Sequence, residues 1–329
     1  MFGTEPPPSG AELGAAGAMS GAAGTITIDD LVGDRRRIVK DRRMHRLVQM
    51  AAMASIVISA LIVISLLWEA VNFFVRLDSL SQLWELGWFP RRGMYDIKTL
   101  LTSTLITTSI AVAFAAPLGL ATAIYLSEYA RPRARAVIKP ALEVLAGVPS
   151  VVIGFFALTF ITPELVKRVA PGAAQFNLLA AGLGVGILII PLIASISEDA
   201  MQAVPDSLRQ AAYGIGARKI SVSTQVIVPA AISGIVAAFI VAVSRAIGET
   251  LVVTIAAGGS GGNIFNADPL QPGLTMTAAM ASIAGGTDAV VGEDATFQSL
   301  FFVGLLLFII TLGLNMTANR YVRRVRQQY

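Results

Sequence analysis

Two oppositely charged residues, Arg245 and Glu249, lie four positions apart in the otherwise apolar sequence SRAIGETLVVTIAAG. On an α-helix, side chains at this spacing share one face, about 6 Å apart. A charge at membrane depth costs from roughly 2.5 to more than 10 kcal/mol, so such charges usually face a cavity and serve a function. The guanidinium fork matches the oxygens of an oxyanion, and Glu249 could hold it when no anion is present. The pair therefore predicts a contact with a transported anion, and the alternative is a structural ion pair between helices.

Ser150 and Thr254 are further candidates for contact with a transported solute. Ser150 follows the proline at which the apolar sequence LAGVPSVVIGFFAL breaks and frees backbone groups. Thr254 lies in the same apolar segment as Arg245. Hydroxyl side chains in membrane helices also bond to backbone or to neighbouring helices, which is the alternative role for both. The predicted substrate-binding set is thus Arg245, Glu249, Ser150 and Thr254.

The composition excludes several classes of protein. Hydrophobic residues make up 55% of the chain and charged residues 14%, with a mean hydropathy of +0.70, whereas soluble domains average about a quarter charged. Cysteine is absent and His45 is the single histidine, so disulfides, thiolate metal sites and histidine-based catalysis lack their residues. The phosphate-cradling loop GxxxxGK[ST] is also missing, so another subunit would have to supply energy from ATP. We therefore predict no catalytic or metal-binding residue on this chain.

Six segments are long and apolar enough to cross a bilayer, which takes about 20 residues at helical rise. They predict an all-α, polytopic membrane protein with about six transmembrane helices over residues 35–329. The predicted spans are Leu47–Phe74, Leu100–Leu126, Pro140–Ile161, Asn177–Ser197, Val226–Ala257 and Ser299–Ala318.

Lysine and arginine residues are unevenly distributed between alternate loops. Eighteen lie in the amino-terminal flank, in alternate loops and at the carboxyl end, against six in the remaining loops. Because basic loops stay in the cytoplasm, both termini are predicted to be cytoplasmic. Residues 1–34, rich in Pro, Gly, Ala and Ser, predict a disordered cytoplasmic tail. The basic stretch RRRIVKDRR could bind nucleic acid, but its place just before a span favours a role in topology, and we expect no nucleic-acid partner.

The most informative polar segment is the predicted cytoplasmic loop at about residues 198–225. Within it, the sequence PDS at 205–207 predicts the start of a short helix that ends at Gly214 or Gly216. Such a helix would lie along the membrane, with small residues that let another surface approach closely. The alternative is a solvated connector.

The same loop resembles the membrane subunits of ATP-binding-cassette (ABC) importers. Their cytoplasmic signature is EAA, three residues, Gly, nine residues and then I-x-L-P, and both spacings are kept here. The signature falls on Gln210, Ala211, Ala212, Gly216, Val226, Val228 and Pro229. Gln210 replaces the acidic residue, which removes a charged contact, and Val replaces both Ile and Leu. The resemblance implies that Gln210, Ala211, Ala212 and Gly216 couple the chain to an ATPase.

Three further sequences narrow the resemblance: PLGLATAIYLSEYA at Pro117–Ala130, and the segments already quoted at Leu145–Leu158 and Ser244–Gly258. They are similar to the C-type membrane subunit of the bacterial high-affinity phosphate importer, over most of the chain from Trp88 onward. The resemblance implies a multi-pass permease subunit in the lipid of the bacterial plasma membrane. It also implies a related A-type membrane subunit, two cytoplasmic ATPase subunits and an external phosphate-binding protein. ATP and Mg would be held by the ATPase subunits, and no cofactor by this chain.

Three alternatives remain open at this point. A permease of the same superfamily could carry another oxyanion, such as sulfate or molybdate. An ion-coupled secondary transporter would need no ATPase and would have inverted repeats. A membrane scaffold or sensor could signal phosphate status through its cytoplasmic loops, and this role is compatible with transport.

Overall fold

Helices account for nearly all of the regular structure. The computed structural model describes residues 35–77, 79–84, 87–259, 263–285 and 295–325, so the tail predicted for residues 1–34 lies outside the described residues. Within these ranges the helices are α1 (Arg35–Arg76), α2 (Ile97–Tyr129), α3 (Pro132–Ala146), α4 (Ser150–Val169), α5 (Leu178–Gln202), α6 (Asp206–Gly214), α7 (Lys219–Ala230), α8 (Ile232–Ile247), α9 (Leu251–Val253), α10 (Met276–Ala284) and α11 (Ala295–Val325). The last turn of α2, Tyr125–Tyr129, is π-helical, and so are the middle parts of α4 and α7, Ala157–Val166 and Val222–Ile227. Helix α9 continues as a π-helical turn over Thr254–Gly258.

Five helices in the described part of the chain are long and apolar enough to cross a membrane: α2, α4, α5, α11 and the part of α1 from Arg43 onward. A sixth span results if α7 and α8 are counted together, although they meet at an angle of 71°. The predicted all-α class with about six membrane helices is therefore confirmed.

The bounds of the third predicted span, Pro140–Ile161, are wrong. Its first residues belong to α3, which ends at Ala146, and the span is α4, which starts at Ser150. Pro149 separates the two helices. Proline has no N–H group to continue a helix and disfavours helical geometry in the residue before it. None of the residues of α3 is fully buried, so α3 lies on the side of the helix bundle.

The fifth predicted span, Val226–Ala257, is not one helix. The chain turns sharply at Ala231, between α7 and α8, and α8 then ends at Ile247. Gly248 caps α8 with a backbone hydrogen bond to Ser244. Glycine costs about 1 kcal/mol relative to alanine inside a helix, which favours an end at this position. The chain resumes helical structure only at α9.

Close helix contacts at glycine residues place α5 at the centre of the fold. A Cβ atom on Gly182 of α5 would lie 2.7 Å from Ile110 of α2, and one on Gly119 of α2 would lie 2.8 Å from Ile193 of α5. Glycine in these places lets the two backbones approach, as is typical of membrane helices. More than half of the residues of α5 are buried. This helix therefore supports the elements that surround it.

A short antiparallel hairpin joins α1 to α2. Its strands are β1 (Trp88–Phe89) and β2 (Met94–Tyr95). Trp88 is fully buried and exchanges two backbone hydrogen bonds with Asn263, with N···O distances of 2.7 and 3.0 Å. Asp96, also buried, caps α2 by accepting a hydrogen bond from the Lys98 backbone N–H. Backbone pairing and the cap thus fix the end of the fold at which α2 begins.

Residues 43–62 belong to a separate structural unit that ends at Ile62. From Arg43 onward its helical residues carry large apolar side chains that are exposed, such as Met53 and Ile58. A helix that is apolar all round is typical of a membrane span. These residues therefore suit contact with lipid.

Candidate functional site

A cavity of about 390 Å³ lies between α3, α5 and α8. This volume falls in the range of small-molecule sites, roughly 300 to 1,000 Å³. Most of the wall surface is apolar, although five of the eleven lining residues are polar or charged. The lining residues are Lys139, Leu142, Glu143, Ala146, Leu188, Pro191, Leu192, Ser195, Glu198, Val241 and Arg245.

Two glycine contacts show which part of α5 lies beside Arg245. Gly234 of α8 approaches Ala200 near the end of α5, and a Cβ on Gly184 of α5 would lie 3.0 Å from Val252, which follows α8. The two helices are therefore antiparallel. Arg245 lies eleven positions beyond Gly234, which places it near residue 189, in the middle of α5. At the helical rise this is about 16 Å from the level of Ala200.

A cluster of charged side chains lies at the other end of the cavity. Glu198 of α5 is fully buried, and its carboxylate lies 2.6 Å from Arg135 Nη2 and 3.1 Å from Lys139 Nζ. Gln202 Nε2 donates to the same carboxylate over 2.6 Å, and Asp199 lies 3.1 Å from Lys139 Nζ. Buried carboxylates need such partners because water is excluded. This cluster attaches α3 to the end of α5.

Lys139 has a raised pKa. The main cause is hydrogen bonding to the Glu198 carboxylate, which raises the pKa above the ordinary 10.5, and Asp199 acts in the same direction. Partial burial opposes the shift, but its effect is smaller than that of the hydrogen bond to Glu198. The amine therefore stays protonated at neutral pH. The cavity has a cation at each end, Arg245 midway along α5 and Lys139 near its carboxyl-terminal end.

The predicted helical pairing of Arg245 with Glu249 is wrong. Glu249 lies in the break between α8 and α9, beyond the last helical residue of α8. The two side chains form no ion pair in the described part of the chain. The backbone carbonyl of Glu249 accepts a hydrogen bond of 2.8 Å from Thr277 Oγ1, which connects the break to α10. Arg245 is therefore an exposed cation on the cavity wall with no ion-pair partner in the described ranges, and Glu249 does not line the cavity.

Ser150 and Thr254 lie in neighbouring elements outside the cavity. Ser150 is the first residue of α4, and α4 packs against α9, where a Cβ on Gly154 would lie 3.0 Å from Val252 Cα. Thr254 Oγ1 donates to the Thr250 carbonyl over 2.8 Å, the backbone role that hydroxyl side chains often take in membrane helices. Of the predicted substrate-binding set, only Arg245 lines the cavity. The roles of the other three stay predictions.

The short helix predicted in the cytoplasmic loop is confirmed as α6. It begins at Asp206, ends at Gly214 and is followed by Gly216 with a φ of 80°. The loop is shorter than predicted, because α5 extends to Gln202 and α7 begins at Lys219. A Cβ on Gly214 or Gly216 would meet no atom within 4 Å, so the surface there is open.

Three of the predicted coupling residues lie on α6, and Gly216 follows it. Gln210, Ala211 and Gly216 are exposed, whereas Ala212 is buried against the core below. Ala212 therefore attaches α6 to the fold, and the other three face outward. The three exposed residues are free to contact another protein.

Comparison with known proteins identifies the family. Residues 115–327 match the model of the binding-protein-dependent transport system inner membrane component. The chain belongs to this family. It is a permease subunit of an ABC transporter, as its relatives are. A phosphate transport system permease protein of Mesorhizobium japonicum is 32% identical, over 88% of this chain and 92% of its own. A probable ABC transporter permease protein of Bacillus subtilis is 30% identical, over 88% of this chain and 95% of its own.

The fold of the permease is also that of a solved ABC transporter. A chain from a bacterial transporter involved in the import of the acidic polysaccharide alginate aligns with a TM-score of 0.59 at 13% identity. The alignment covers 88% of the permease and all of that chain. At this identity the likeness concerns the fold alone.

Sequence reasoning missed the role of two residues of the permease. Lys139 is one of the eighteen basic residues for which the sequence predicts only a role in topology, and Glu198 is the first residue of the predicted cytoplasmic loop at about residues 198–225. A usable signal was present, because Glu198 continues the apolar helix without a breaker and is only four positions from Gln202. The pairing of Lys139 with Glu198, 59 positions apart, carries no sequence signal of its own.

Proposed function

We propose that this chain is the membrane subunit of an ATP-driven phosphate importer and forms the translocation pathway with a related A-type membrane subunit. The observation that carries the proposal is Arg245, an exposed cation on the wall of the cavity between α3, α5 and α8 with no ion-pair partner among the described residues. Retaining a lone cation there is costly unless an anion uses it. The relative from Mesorhizobium japonicum is named as a phosphate transport system permease, which supports phosphate as that anion.

The cavity suggests how the anion passes through this half of the pathway. Arg245 would bind the anion midway along α5 through its planar donors. Lys139 would provide a second positive charge near the level of Glu198, with the carboxylates beside it keeping binding weak. A transport site must bind well enough to admit the ion but weakly enough to release it. The cavity therefore fits transit better than storage.

The partners follow from the same proposal. Two cytoplasmic ATPase subunits would hold ATP and Mg and contact the exposed side of α6, and an external phosphate-binding protein would deliver the substrate. The distribution of basic residues supports cytoplasmic termini in the bacterial plasma membrane. The chain itself would catalyse no covalent reaction.

Reconstitution into liposomes tests the proposal. The full complex, with loaded binding protein outside and ATP inside, should accumulate radiolabelled phosphate, and omission of ATP or of the A-type subunit should abolish uptake. Unlabelled sulfate and molybdate should not reduce the uptake of radiolabelled phosphate. Uptake of sulfate or molybdate in place of phosphate would show another oxyanion permease, and phosphate uptake by this chain without ATPase would show a secondary transporter.

A further inference from the structure

Arg209 makes four polar contacts at the point where the cytoplasmic helix α6 meets the membrane helices. Nη1 donates to the Val204 carbonyl over 2.7 Å and to Asp206 Oδ1 over 3.0 Å. Nη2 donates to the Met201 carbonyl over 2.8 Å and to Glu128 Oε1 over 3.2 Å. One side chain thus contacts the end of α2, the end of α5 and the start of α6. We call this group the Arg209 junction.

The Arg209–Glu128 pair at the centre of the junction is largely enclosed, whereas Asp206 at its edge is exposed. The side chain of Glu128 is 5% exposed and that of Arg209 is 18% exposed. Ser127 Oγ donates to the same Glu128 oxygen over 2.9 Å, so the carboxylate is held from two sides. Charge-assisted hydrogen bonds are stronger than neutral ones, and they gain further when water is kept away. The Arg209 junction is therefore a firm connection, unlike an ion pair on the surface.

The type of residue suits this task. The last carbonyls of a helix have no partners within it, and here the Met201 carbonyl in the last turn of α5 and the Val204 carbonyl just beyond it accept from the guanidinium. Arginine can serve carbonyls and a carboxylate at once because its donors form a planar fork. Lysine has a single ammonium and could hold only part of the set.

The apolar contacts of α6 are made by Ala212, its one fully buried residue, and by the half-buried Leu208, which pack in a cluster with Val222 and Ile227 of α7. The Arg209 junction is the polar connection from α6 to α2 and α5. Through Glu128 the junction reaches α2, and through the Met201 carbonyl it reaches α5, which forms part of the cavity wall.

We infer that Arg209 is a positioning residue for coupling: it transmits the movement of α6, driven by the ATPase, to α2 and α5. This inference rests on the proposed function, since it requires an ATPase to dock on α6. It adds a specific connection within this chain, between the docking helix and the helices that line the cavity.

The test compares variants in the full reconstituted complex. The readout is the stimulation ratio, which is the rate of ATP hydrolysis with phosphate-loaded binding protein divided by the rate without it. Arg209→Ala should lower this ratio by about tenfold, the size expected when charge-assisted hydrogen bonds are lost. Arg209→Lys should recover part of it. Arg218→Ala is the matched control, because Arg218 is an exposed arginine of the same loop with no side-chain contact in the described residues.

A purely structural role predicts a different result. It would lower the yield of assembled complex and leave the stimulation ratio of whatever assembles at the normal value, and this result overturns the inference. If Arg209→Ala does not assemble, Glu128→Gln decides, since it keeps the size of the side chain and removes the charge. A lowered ratio in assembled Glu128→Gln supports the inference, and a normal ratio overturns it. If the unaltered complex is not stimulated by the phosphate-loaded protein, the proposed function itself fails.

Discussion

Lys139 Nζ lies 3.1 Å from the carboxylate of Glu198, and the two residues differ sharply in burial. The lysine side chain is 30% exposed, whereas the glutamate is fully buried. The cation can turn to water if its partner is lost, but the carboxylate cannot. Breaking this ion pair from one side is therefore not equivalent to breaking it from the other.

The first prediction uses this asymmetry. Replacing both cations, with Arg135→Ala and Lys139→Ala, should destabilise the protein by about 3 kcal/mol or more, because it leaves a buried charge without a counterion. Glu198→Gln should cost about 1 kcal/mol, since the amide still accepts a hydrogen bond and both cations can reach water. Thermal unfolding in detergent measures the difference. Equal losses in the two variants would contradict the burial of Glu198.

The second prediction concerns alkaline pH. The folded-state pKa of Lys139 is raised above 10.5, so its stabilising effect is complete below pH 10.5 and is lost as the pH rises through the folded pKa. Lys139→Arg keeps its charge at these pH values. Unfolding temperatures of the two proteins should therefore run parallel at neutral pH and diverge above about pH 10.5, with the wild type falling faster. Parallel curves throughout would show that the ion pair does not contribute to stability.

The third prediction concerns Arg245. Arg245→Ala should abolish phosphate uptake with normal assembly, and Arg245→Lys should transport poorly, because it keeps the charge and loses the planar fork. Since the side chain has no ion pair to lose among the residues that the structure describes, the unfolding temperature should change little. Arg218→Ala, at an exposed arginine outside the cavity, serves as the control. Substantial uptake by the double variant Arg245→Met, Glu249→Leu in an assembled complex would rule out a direct role for the cation.

The fourth prediction concerns docking of an ATPase on α6. Gly216→Trp would combine a steric effect with backbone strain, because a non-glycine residue at a φ of 80° costs about 1 to 2 kcal/mol. Gly214→Trp avoids the strain, since Gly214 is helical and has open space around it. It should leave insertion and thermal stability unchanged and abolish co-purification of the ATPase subunit. Gly214→Ala is the control, and co-purification with the tryptophan variant would refute docking at this surface.

The fifth prediction tests topology with single cysteines in a chain that has none. Ile215 follows α6 and is 87% exposed, and Val169 ends α4 and is 89% exposed. A membrane-impermeant thiol reagent should label Ile215→Cys only from the cytoplasmic side and Val169→Cys only from outside. Labelling at Asn266→Cys should follow that at Val169→Cys. The reverse pattern would invert the orientation.

Hydropathy predicted most of the membrane helices, because burial in lipid demands a long apolar segment whatever its neighbours are. Helix α6 was predicted from the residues at its two ends, since the sequence PDS favours a helix start and glycine favours a helix end whatever the rest of the fold is. The predictions that were wrong concern helix ends and side-chain positions that depend on tertiary contacts. Gly248 is tolerated inside many membrane helices, so its position alone did not show that α8 ends there. For the same reason Glu249 was assigned to the same helical face as Arg245.

The candidate site was predicted only in part. Arg245 was found because a charge in an apolar segment is conspicuous without any structural information. Lys139 and Glu198 were not found, because neither stands out from the residues around it in the sequence. Their ion pair forms only when α3 packs against α5. Arg209 stood beside the predicted coupling residues, but its contact with Glu128 joins residues 81 positions apart.

The sharp turn between α7 and α8 has a consequence for biosynthesis. With 16 residues, α8 is about 24 Å long, short of the bilayer core of about 30 Å, and it carries Arg245 near its end. The insertion machinery would release such a segment into lipid less readily than a long, uncharged helix. We expect α8 to insert late, when α5 is already in the bilayer and Ala200 offers a surface for Gly234. The order of the two helices along the chain matches this requirement, because α5 leaves the ribosome first.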